Sequence, residues 1–487
     1  MMKIIKDRAD RWFYRCPVLL MLLLPLFLHS GCNTTVKLEP ADLLIDNVQL
    51  VDVRNGNVIP DQSVLVHAGE IVAITDYDAG LAIGARDTLH ADGLYLIPGL
   101  WDMHVHFRGG QELIQENERL IDLYLPHGIT SIADMGGDIP EAVYSWREEI
   151  QNGERLGPNL YTTGPKLDGA GGGWDGSLAV ENRQDATDAL NQLEERDADA
   201  IKIYDGSLTD SAFRHILDEA GERGMRTIAH IPLSVTLEEA LAGGLNSIQH
   251  LYYVVKACTP EEEEIARRYR DGETGFWQAV REMEEGWDEN LAREVAEQLS
   301  REGTAVSPTL HIARTLFFLD RDDHSNDPLL DYIPAGIQET YAGRVNAAAS
   351  RNEDYIAFQH RLFDIFRKMT LILHEAGVPL LAGSDAGPFN SYVYPGNGLH
   401  GELEELVNAG LTPLEALRTA TMLPARFMDM EEETGTIASG KSADLVLLEA
   451  NPLKNIRNTR RIAGVIRDGR YFDREELDKM LTAADPQ

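Results

Sequence analysis

Cysteine, basic residues and long hydrophobic runs are all scarce in this chain. It has 3 cysteines in 487 residues, too few for a dense disulfide framework. Lys and Arg number 44 against 80 Asp and Glu, and the resulting formal charge of -36 repels phosphate backbones, so nucleic acid is not an expected partner. Hydrophobic residues make up 43% and charged residues 25%, which excludes a disordered chain, a collagen and a multi-span membrane protein.

The most apolar segment, residues 17–28, is shorter than the roughly 20 residues of a transmembrane helix. It follows a basic N-terminus, as in a secretory signal peptide. It ends in LHSGC, which resembles a bacterial lipobox except that His29 replaces the usual aliphatic residue. We therefore expect residues 1–31 to be a lipoprotein-type signal peptide and Cys32 to carry the lipid. The protein would then be exported to the periplasmic side of a bacterial membrane, and Asn33 favours the outer membrane by the same resemblance. An ordinary cleaved signal with an incidental Cys32 is the alternative.

Two segments, one after the expected signal peptide and one near the C-terminus, have the alternating pattern typical of β-strands. Residues 41–74 alternate apolar and polar side chains between Asn-Gly and Gly-Glu turns, and the pattern returns after residue 435. Neither block is long enough to bury a core alone. We therefore predict one small β-sandwich, built from residues 32–97 and 433–487, beside a barrel domain of residues 98–432.

Between the two ends, short apolar strands alternate with helical segments. Eight such units fit the α/β class and a (β/α)8 TIM barrel, whose catalytic groups lie at the C-terminal ends of the strands. Two long connections, residues 258–303 and 311–377, could cover the pocket or pack on the barrel flank. The glycine-rich loop 164–176 is predicted to be a mobile wall of the pocket. The predicted strands are residues 94–106, 130–135, 160–164, 200–204, 226–231, 247–251, 305–310 and 379–386.

A His-x-His pair closes the first predicted barrel strand. His104 and His106 are two residues apart, so on a strand both side chains point to the same side and can hold one metal ion. Lys202 lies in the apolar strand Ile-Lys-Ile, where a lysine is costly unless it is neutralised or paired. Reaction with CO2 would give a carbamate able to bridge two cations, whereas pairing with Asp205 would make the lysine purely structural.

Three further side chains end other predicted strands. Taken singly, His230 and His250 would more often be satisfied core histidines, and Asp385 would more often be a helix cap. Together with the first three they offer nitrogen and oxygen donors, which suit Zn²⁺, although Mn²⁺, Fe²⁺ and Co²⁺ also accept them. The predicted metal ligands are His104, His106, Lys202, His230, His250 and Asp385.

These motifs resemble the amidohydrolase superfamily. The resemblance rests on PGLWDMHVH, on Lys202 and the two later histidines, on SDAG at residues 384–387, and on the segments 411–427 and 435–452. The 20-residue spacing between His230 and His250 is similar to the spacing in the imidazolonepropionase- and prolidase-like branch. The resemblance implies two divalent metal ions, with zinc the first candidate, and a hydroxide between them. It also implies their ligands: His104, His106 and Asp385 on one ion, His230 and His250 on the other, and a carboxylated Lys202 bridging both.

The predicted chemistry is hydrolysis of an amide-type C–N bond in a dipeptide, an N-acyl amino acid or a cyclic amide. Two cations lower the pKa of a bridging water, and Asp385 can accept its proton and later donate it to the leaving nitrogen. Arg108 continues the alternation of the histidine pair. It could bind a substrate carboxylate, as in dihydroorotase-like relatives, or form a salt bridge at the barrel rim. Further predicted substrate contacts are Tyr204, Tyr252 and His311.

Two other functions stay open at this point. The same metal ligands could serve hydrolysis of a lactone, a phosphotriester or a cyclic imide. A non-catalytic, surface-anchored binding lipoprotein is the second alternative, but it would predict at least one lost ligand, and all six are present. The expected partner is a small-molecule substrate, with membrane contact only through the N-terminal lipid anchor, and self-association into a homo-oligomer is left open.

Overall fold

The computed structural model describes residues 41–78 and 84–484. The expected signal peptide and the lipidation site Cys32 lie outside the described residues. No helix in the described part of the chain combines the length and the apolar character needed to cross a lipid bilayer.

Seventeen strands are present among the described residues, and they are numbered in chain order. They are Ala41–Asp52 (β1), Asn57–His67 (β2), Glu70–Asp76 (β3), Ala85–His90 (β4), Tyr95–Pro98 (β5), Leu100–Val105 (β6), Ile129–Asp134 (β7), Asn159–Thr162 (β8), Leu167–Asp168 (β9), Leu178–Ala179 (β10), Ile201–Ile203 (β11), Thr227–Ala229 (β12), Ser247–Gln249 (β13), Ala305–Ser307 (β14), Leu445–Leu448 (β15), Ile462–Arg467 (β16) and Arg470–Asp473 (β17).

Strands from the two ends of the sequence share one eight-stranded sheet. Its order is β17-β16-β15-β5-β1-β2-β3, and β4 pairs in parallel with β1. The antiparallel pairing of β5 with β15, in which Ile97 lies opposite Val446, joins the two ends. Alternating apolar side chains of this sheet form a core of their own, because residues two apart on a strand face the same side. Its fully buried members include Ile45, Val64, Leu96, Leu447 and Ile466.

The middle of the chain contains only parallel pairings between its strands. One sheet has the order β6-β7-β8, and the other has the order β10-β9-β11-β12-β13-β14. Apolar residues of these strands, such as Leu100, Ile132, Ile201, Ile248 and Val306, are fully buried. This confirms the α/β class with an additional sheet, and the closed eight-stranded ring stays a prediction.

Two of the predicted strands differ from the structure in more than the position of an end. The prediction of one strand over residues 94–106 is wrong, because the chain divides at Gly99 into β5 of the terminal sheet and β6 of the parallel sheet. A Cβ atom on Gly99 would lie 2.0 Å from Oγ1 of Thr130, so only glycine fits at the point where the chain passes from one sheet to the other. Residues 379–386 are not a regular strand and make isolated parallel bridges, Leu380 to Val306 and Ala386 to Val105. Their backbone still links β14 to β6.

Both long connections are helical, as the sequence indicates. Several of their helices line the large cavity described below, and three of these are called the covering helices: Phe276–Glu285, Ala342–Ala349 and Glu353–Glu375. The other α-helices are Ile114–Leu120, Pro140–Gln151, Arg183–Glu195, Asp210–Arg223, Leu237–Ala242, Tyr252–Lys256, Glu262–Arg270, Glu289–Glu302, Leu310–Phe317, Ala335–Thr340, Asn397–Ala409, Pro413–Thr419, Met422–Phe427 and Arg474–Ala484.

Candidate metal centre

The parallel strands deliver the predicted ligands to one place, at their C-terminal ends. His104 lies on β6 and His106 directly follows that strand. Lys202 is the central residue of β11. His230 and His250 are the first residues after β12 and β13. In parallel strands these ends lie at the same edge of the sheet, which is why residues far apart in sequence meet here.

The ligand atoms of four of these residues converge. Nε2 of His104 lies 3.2 Å from Nε2 of His106. Oδ1 of Asp385 is 3.3 Å from Nε2 of His106 and 3.7 Å from Nε2 of His104. Oδ2 of Asp385 is 3.8 Å from Nε2 of His250, and the ring of His230 is 4.8 Å from the ring of His250. One atom each from His104, His250 and Asp385 lies within 4.8 Å of the others, a spacing that a single metal ion can occupy.

Each of the four histidines uses its Nδ1 atom for a protein partner and turns Nε2 towards the centre. A partner on the outer nitrogen fixes the tautomer and orients the ring, as is usual for metal-bound histidine. The Nδ1 contacts are His104 to Oε1 of Gln249 at 2.6 Å, His106 to the carbonyl oxygen of Gly136 at 2.8 Å, His230 to Oδ1 of Asp205 at 3.2 Å, and His250 to Oγ1 of Thr309 at 2.6 Å.

Burial keeps these imidazoles neutral. It lowers the pKa of His106 to about 3, assisted by the nearby charge of Arg108, and it lowers the pKa of His250 to about 4. A histidine binds a metal through a neutral ring nitrogen, so the environment supplies the protonation state that a metal site needs.

Two buried nitrogen atoms of the centre have no hydrogen-bond partner within residues 41–78 and 84–484. They are Nζ of Lys202, whose side chain is 0% exposed, and Nε2 of His230. Burial lowers the pKa of Lys202 to about 7. Asp205, the alternative partner considered for Lys202, instead accepts hydrogen bonds from His230 and from the Tyr253 hydroxyl, the latter at 2.7 Å. An unpaired buried polar atom lowers the stability of the folded protein. The arrangement therefore fits a bound group that supplies the missing partner of both the lysine and the histidine.

The backbone around the aspartate is held in an unusual conformation. Asp385, His250 and Thr309 have φ angles of 57°, 63° and 49°, in the left-handed region that such residues rarely adopt. The buried carboxylate of Asp102 accepts hydrogen bonds from the backbone N–H and the hydroxyl of Ser384, at 2.8 and 2.6 Å, and so anchors the residue before Asp385 to β6. Strain maintained by such anchors is typical of functional sites.

A cavity of about 840 Å³ opens from this centre towards the covering helices. Arg108, Tyr204 and Tyr252 line it, as the sequence suggests. His311 does not line it. Strand β14 ends at Ser307 and a helix begins at Leu310, so the backbone N–H of His311 donates to Glu402 at 2.7 Å and its ring packs close to Gly401.

Sequence reasoning missed a second buried lysine beside the centre. Nζ of Lys166 has no hydrogen-bond partner in the part of the chain that the structure describes, and it lies 4.5 Å from the centre of the Trp174 ring. The guanidinium carbon of Arg108 is 4.2 Å from the same ring, so two basic side chains contact one indole. Trp174 belongs to the glycine-rich loop and lines the cavity. No periodicity marks Lys166, because it lies in a loop just after β8.

Comparison with known proteins points to one superfamily. Two family models, both described as amidohydrolase family, match residues 95–268 and 366–472. Adenine deaminase 3 of Rhizobium meliloti (strain 1021) is 28% identical over 155 residues, which are 31% of this chain and 25% of that protein. An adenine deaminase of Clostridium botulinum (strain 657 / Type Ba4) is 22% identical over 450 residues, 88% of this chain and 57% of that protein. The chain thus spans less than two thirds of the length of these curated relatives.

Solved structures share the fold over most of the chain. A Xaa-Pro dipeptidase with bound methionine superposes with a TM-score of 0.66 at 20% identity, covering 88% of this chain and 99% of that one. A putative prolidase from Bifidobacterium longum gives 0.64 at 22% identity, with 91% and 99% covered. Bottromycin amidohydrolase gives 0.69 at 22% identity, with 91% and 90% covered. At these identities the likeness concerns the fold. The two family matches include the strands that carry His104, Lys202, His230 and His250, as well as Asp385, and the chain therefore belongs to the amidohydrolase superfamily of enzymes.

Proposed function

We propose that this chain hydrolyses an amide-type C–N bond with the help of two divalent metal ions, with zinc the first candidate, in a (β/α)8 barrel of the prolidase-like branch. One observation carries the proposal. Nζ of Lys202 and Nε2 of His230 are buried without hydrogen-bond partners among the described residues, beside three other inward-turned histidines and Asp385. A mononuclear site of the deaminase kind would leave Lys202 without a role.

The residues fit a metal pair. His104, His106 and Asp385 would hold one ion, and His230 and His250 would hold the other. Lys202, once carboxylated, would bridge them, because a carbamate offers two oxygen donors and removes the cost of the unpaired amine. Divalent ions at such a site lower the pKa of a bound water and polarise a substrate carbonyl.

The protein side chains supply proton transfer and orientation. A carboxylate oxygen of Asp385 accepts the proton of the attacking water and later donates it to the leaving nitrogen. Arg108 binds a substrate carboxylate near the metal end of the cavity, since its guanidinium has no carboxylate partner among the described residues. Tyr204 and Tyr252 form part of the walls, and the covering helices limit access of bulk water.

The experiment that tests this function uses the full-length protein. Metal content is measured after purification, and hydrolysis is then assayed over N-acyl amino acids, dipeptides and cyclic amides with added Zn²⁺, Mn²⁺, Co²⁺ or Fe²⁺. We expect about two ions per chain and turnover of at least one amide class. Lactones and phosphotriesters serve as comparison substrates. Hydrolysis of these alone, or one ion per chain at saturation, would overturn the proposal.

We also propose that the protein is exported and anchored through a lipid on Cys32, which the lipobox-like sequence supports. The enzyme would then act on small molecules at the periplasmic side of a bacterial membrane. Membrane fractionation of the Cys32→Ser variant tests this, since the variant should leave the membrane fraction while the parent remains in it. Recovery of both proteins in the same soluble fraction would contradict the anchor. Homo-oligomer formation stays a prediction.

A further inference from the structure

Three arginines line the cavity, and none has a carboxylate partner in the described part of the chain. This is unusual in a protein with 80 acidic residues. Their guanidiniums donate instead to neutral oxygens. The bonds are Arg108 to the Pro388 carbonyl at 2.9 Å, Arg344 to the Phe389 carbonyl at 2.8 Å and to Oδ1 of Asn390 at 3.0 Å, and Arg351 to the Leu316 carbonyl at 2.8 Å.

The described lining of the cavity offers no free carboxylate for a cationic ligand. Among its described lining residues only Asp205 and Asp385 carry carboxylates. Asp205 already accepts from His230 and Tyr253, and Asp385 contacts the histidines of the metal centre. A substrate ammonium group would therefore lose its hydration in the outer cavity without gaining a charged partner, which is strongly unfavourable.

The outer wall of the cavity is aromatic. The ring of Tyr252 lies 5.6 Å from the Phe276 ring, 5.9 Å from the Trp277 ring and 5.1 Å from the Phe366 ring. Trp277 in turn lies 6.1 Å from Tyr355, and it is 43% exposed although it is a large apolar residue. Such a wall binds flat or extended apolar groups.

The outer arginines sit next to this wall. Arg344 and Ala347 are one turn apart on a covering helix, and Arg351 follows two residues after its end. All three residues line the cavity. A guanidinium beside aromatic rings matches a carboxylate joined to an apolar segment, because the fork of N–H donors binds both oxygens while the rings cover the hydrocarbon.

We propose that Arg344, Arg351, Tyr252, Trp277 and Tyr355 form an outer subsite that binds an anionic group carried on an aromatic or long apolar segment. The substrates of the proposed hydrolase are then amides with a carboxylate at this outer end and no free ammonium, such as amides whose amine is blocked by an acyl group. Free dipeptides, which carry an ammonium, are disfavoured. This inference rests on the proposed function for the bond that is cleaved, but the subsite can be tested without turnover.

The test measures binding of three probes to the full-length, zinc-loaded protein by calorimetry. The probes are phenylbutanoate, the neutral phenylbutanamide and phenylbutylammonium, which differ mainly in charge. We expect the anion to bind about tenfold or more tightly than the amide, and the ammonium to bind weakest. The double variant Arg344→Gln, Arg351→Gln should lose most of this preference, and the variant with lysine at both positions should keep part of it.

Lys368→Gln is the matched control, because it removes a positive charge from an exposed position on a covering helix outside the cavity. It should retain the preference. Equal binding of anion and amide by the parent, or an undiminished preference in the double glutamine variant with an unchanged melting temperature, would overturn the outer subsite. Anion preference without any amide hydrolysis would instead refute the proposed function and leave the subsite standing.

Discussion

The side-chain amide of Asn390 donates a hydrogen bond to Oδ1 of Asp385 over 2.8 Å. It also donates to the backbone carbonyl of Asp385. The oxygen of the same amide accepts from Arg344 on a covering helix. One buried residue thus fixes the orientation of the carboxylate proposed for proton transfer and connects it to the outer wall of the cavity.

Replacing Asn390 with leucine should misplace Asp385 without removing a metal ligand. We expect kcat/KM to fall by about tenfold to a hundredfold, since proton transfer depends on alignment. A hydrogen bond donated to a carboxylate lowers its pKa, so its loss should also move the acidic limb of the pH profile to higher pH. The dependence of kcat/KM on pH measures both effects, and the metal content shows whether the metal ligands remain in place. Asn346→Leu, at an exposed position of the same covering helix, should change neither.

Replacing Asp385 with asparagine tests the proton-transfer role directly. The amide keeps one oxygen towards the histidines but cannot accept and return a proton, so turnover should fall by about a hundredfold or more while metal remains bound. Metal analysis and initial rates on the same preparation separate the two properties. Asp364→Asn, at an exposed position of the longest covering helix, is the control. Full activity of the Asp385 variant would show that another group moves the proton.

Replacing Lys202 with alanine should cost the protein one of the two proposed ions. The variant lacks the amine that CO2 would carboxylate, so no bridging oxygen donors remain. We expect metal content to fall towards one ion per chain and hydrolysis to be nearly abolished. Added acetate should restore part of the activity, because a small carboxylate can enter the space vacated by the side chain. An alanine variant that still binds two ions would show that the lysine is not a bridge.

The sequence predicted the convergence of the candidate metal ligands better than the bounds of the segments that carry them. Alternation along a strand is a local property, and it correctly indicated that His104 and His106 face one side. The pairing of strands, by contrast, depends on residues that are distant in the sequence. Residues 379–386 look like a strand, but their neighbours β14 and β6 allow only isolated bridges there. At Gly99 the approach of Thr130 decides where one sheet ends and the next begins.

The residues that surround the ligands were harder to predict. Gln249, Thr309 and Asn390 act by orienting another side chain, and nothing in their spacing shows which one. The sequence predicts His311 in the pocket because it follows a predicted strand, but the strand ends four residues earlier and a helix turns the side chain away. Only the tertiary structure shows that Lys166 is buried and that its amine has no hydrogen-bond partner among the described residues.

The last prediction concerns the dependence of stability on pH. Glu402 is fully buried, and burial raises the pKa of its carboxyl group to about 8. One oxygen accepts from the backbone N–H of His311, and the other has no hydrogen-bond partner among the residues that the structure describes. The folded protein therefore holds a proton on Glu402 that the unfolded chain releases above its ordinary pKa of 4.5. The resulting stability is complete below that value and is lost as the pH rises towards 8.

Glu402→Gln should remove this loss, because glutamine keeps the acceptor for His311 and never ionises. We expect the parent to lose stability relative to the variant, by the order of a few kcal/mol, between about pH 5 and about pH 9. Urea unfolding at the two pH values measures the difference. Glu285→Gln, at an exposed position of a covering helix, should follow the parent at both. If the Glu402 variant shows the same pH dependence as the parent, another buried group controls stability in this range.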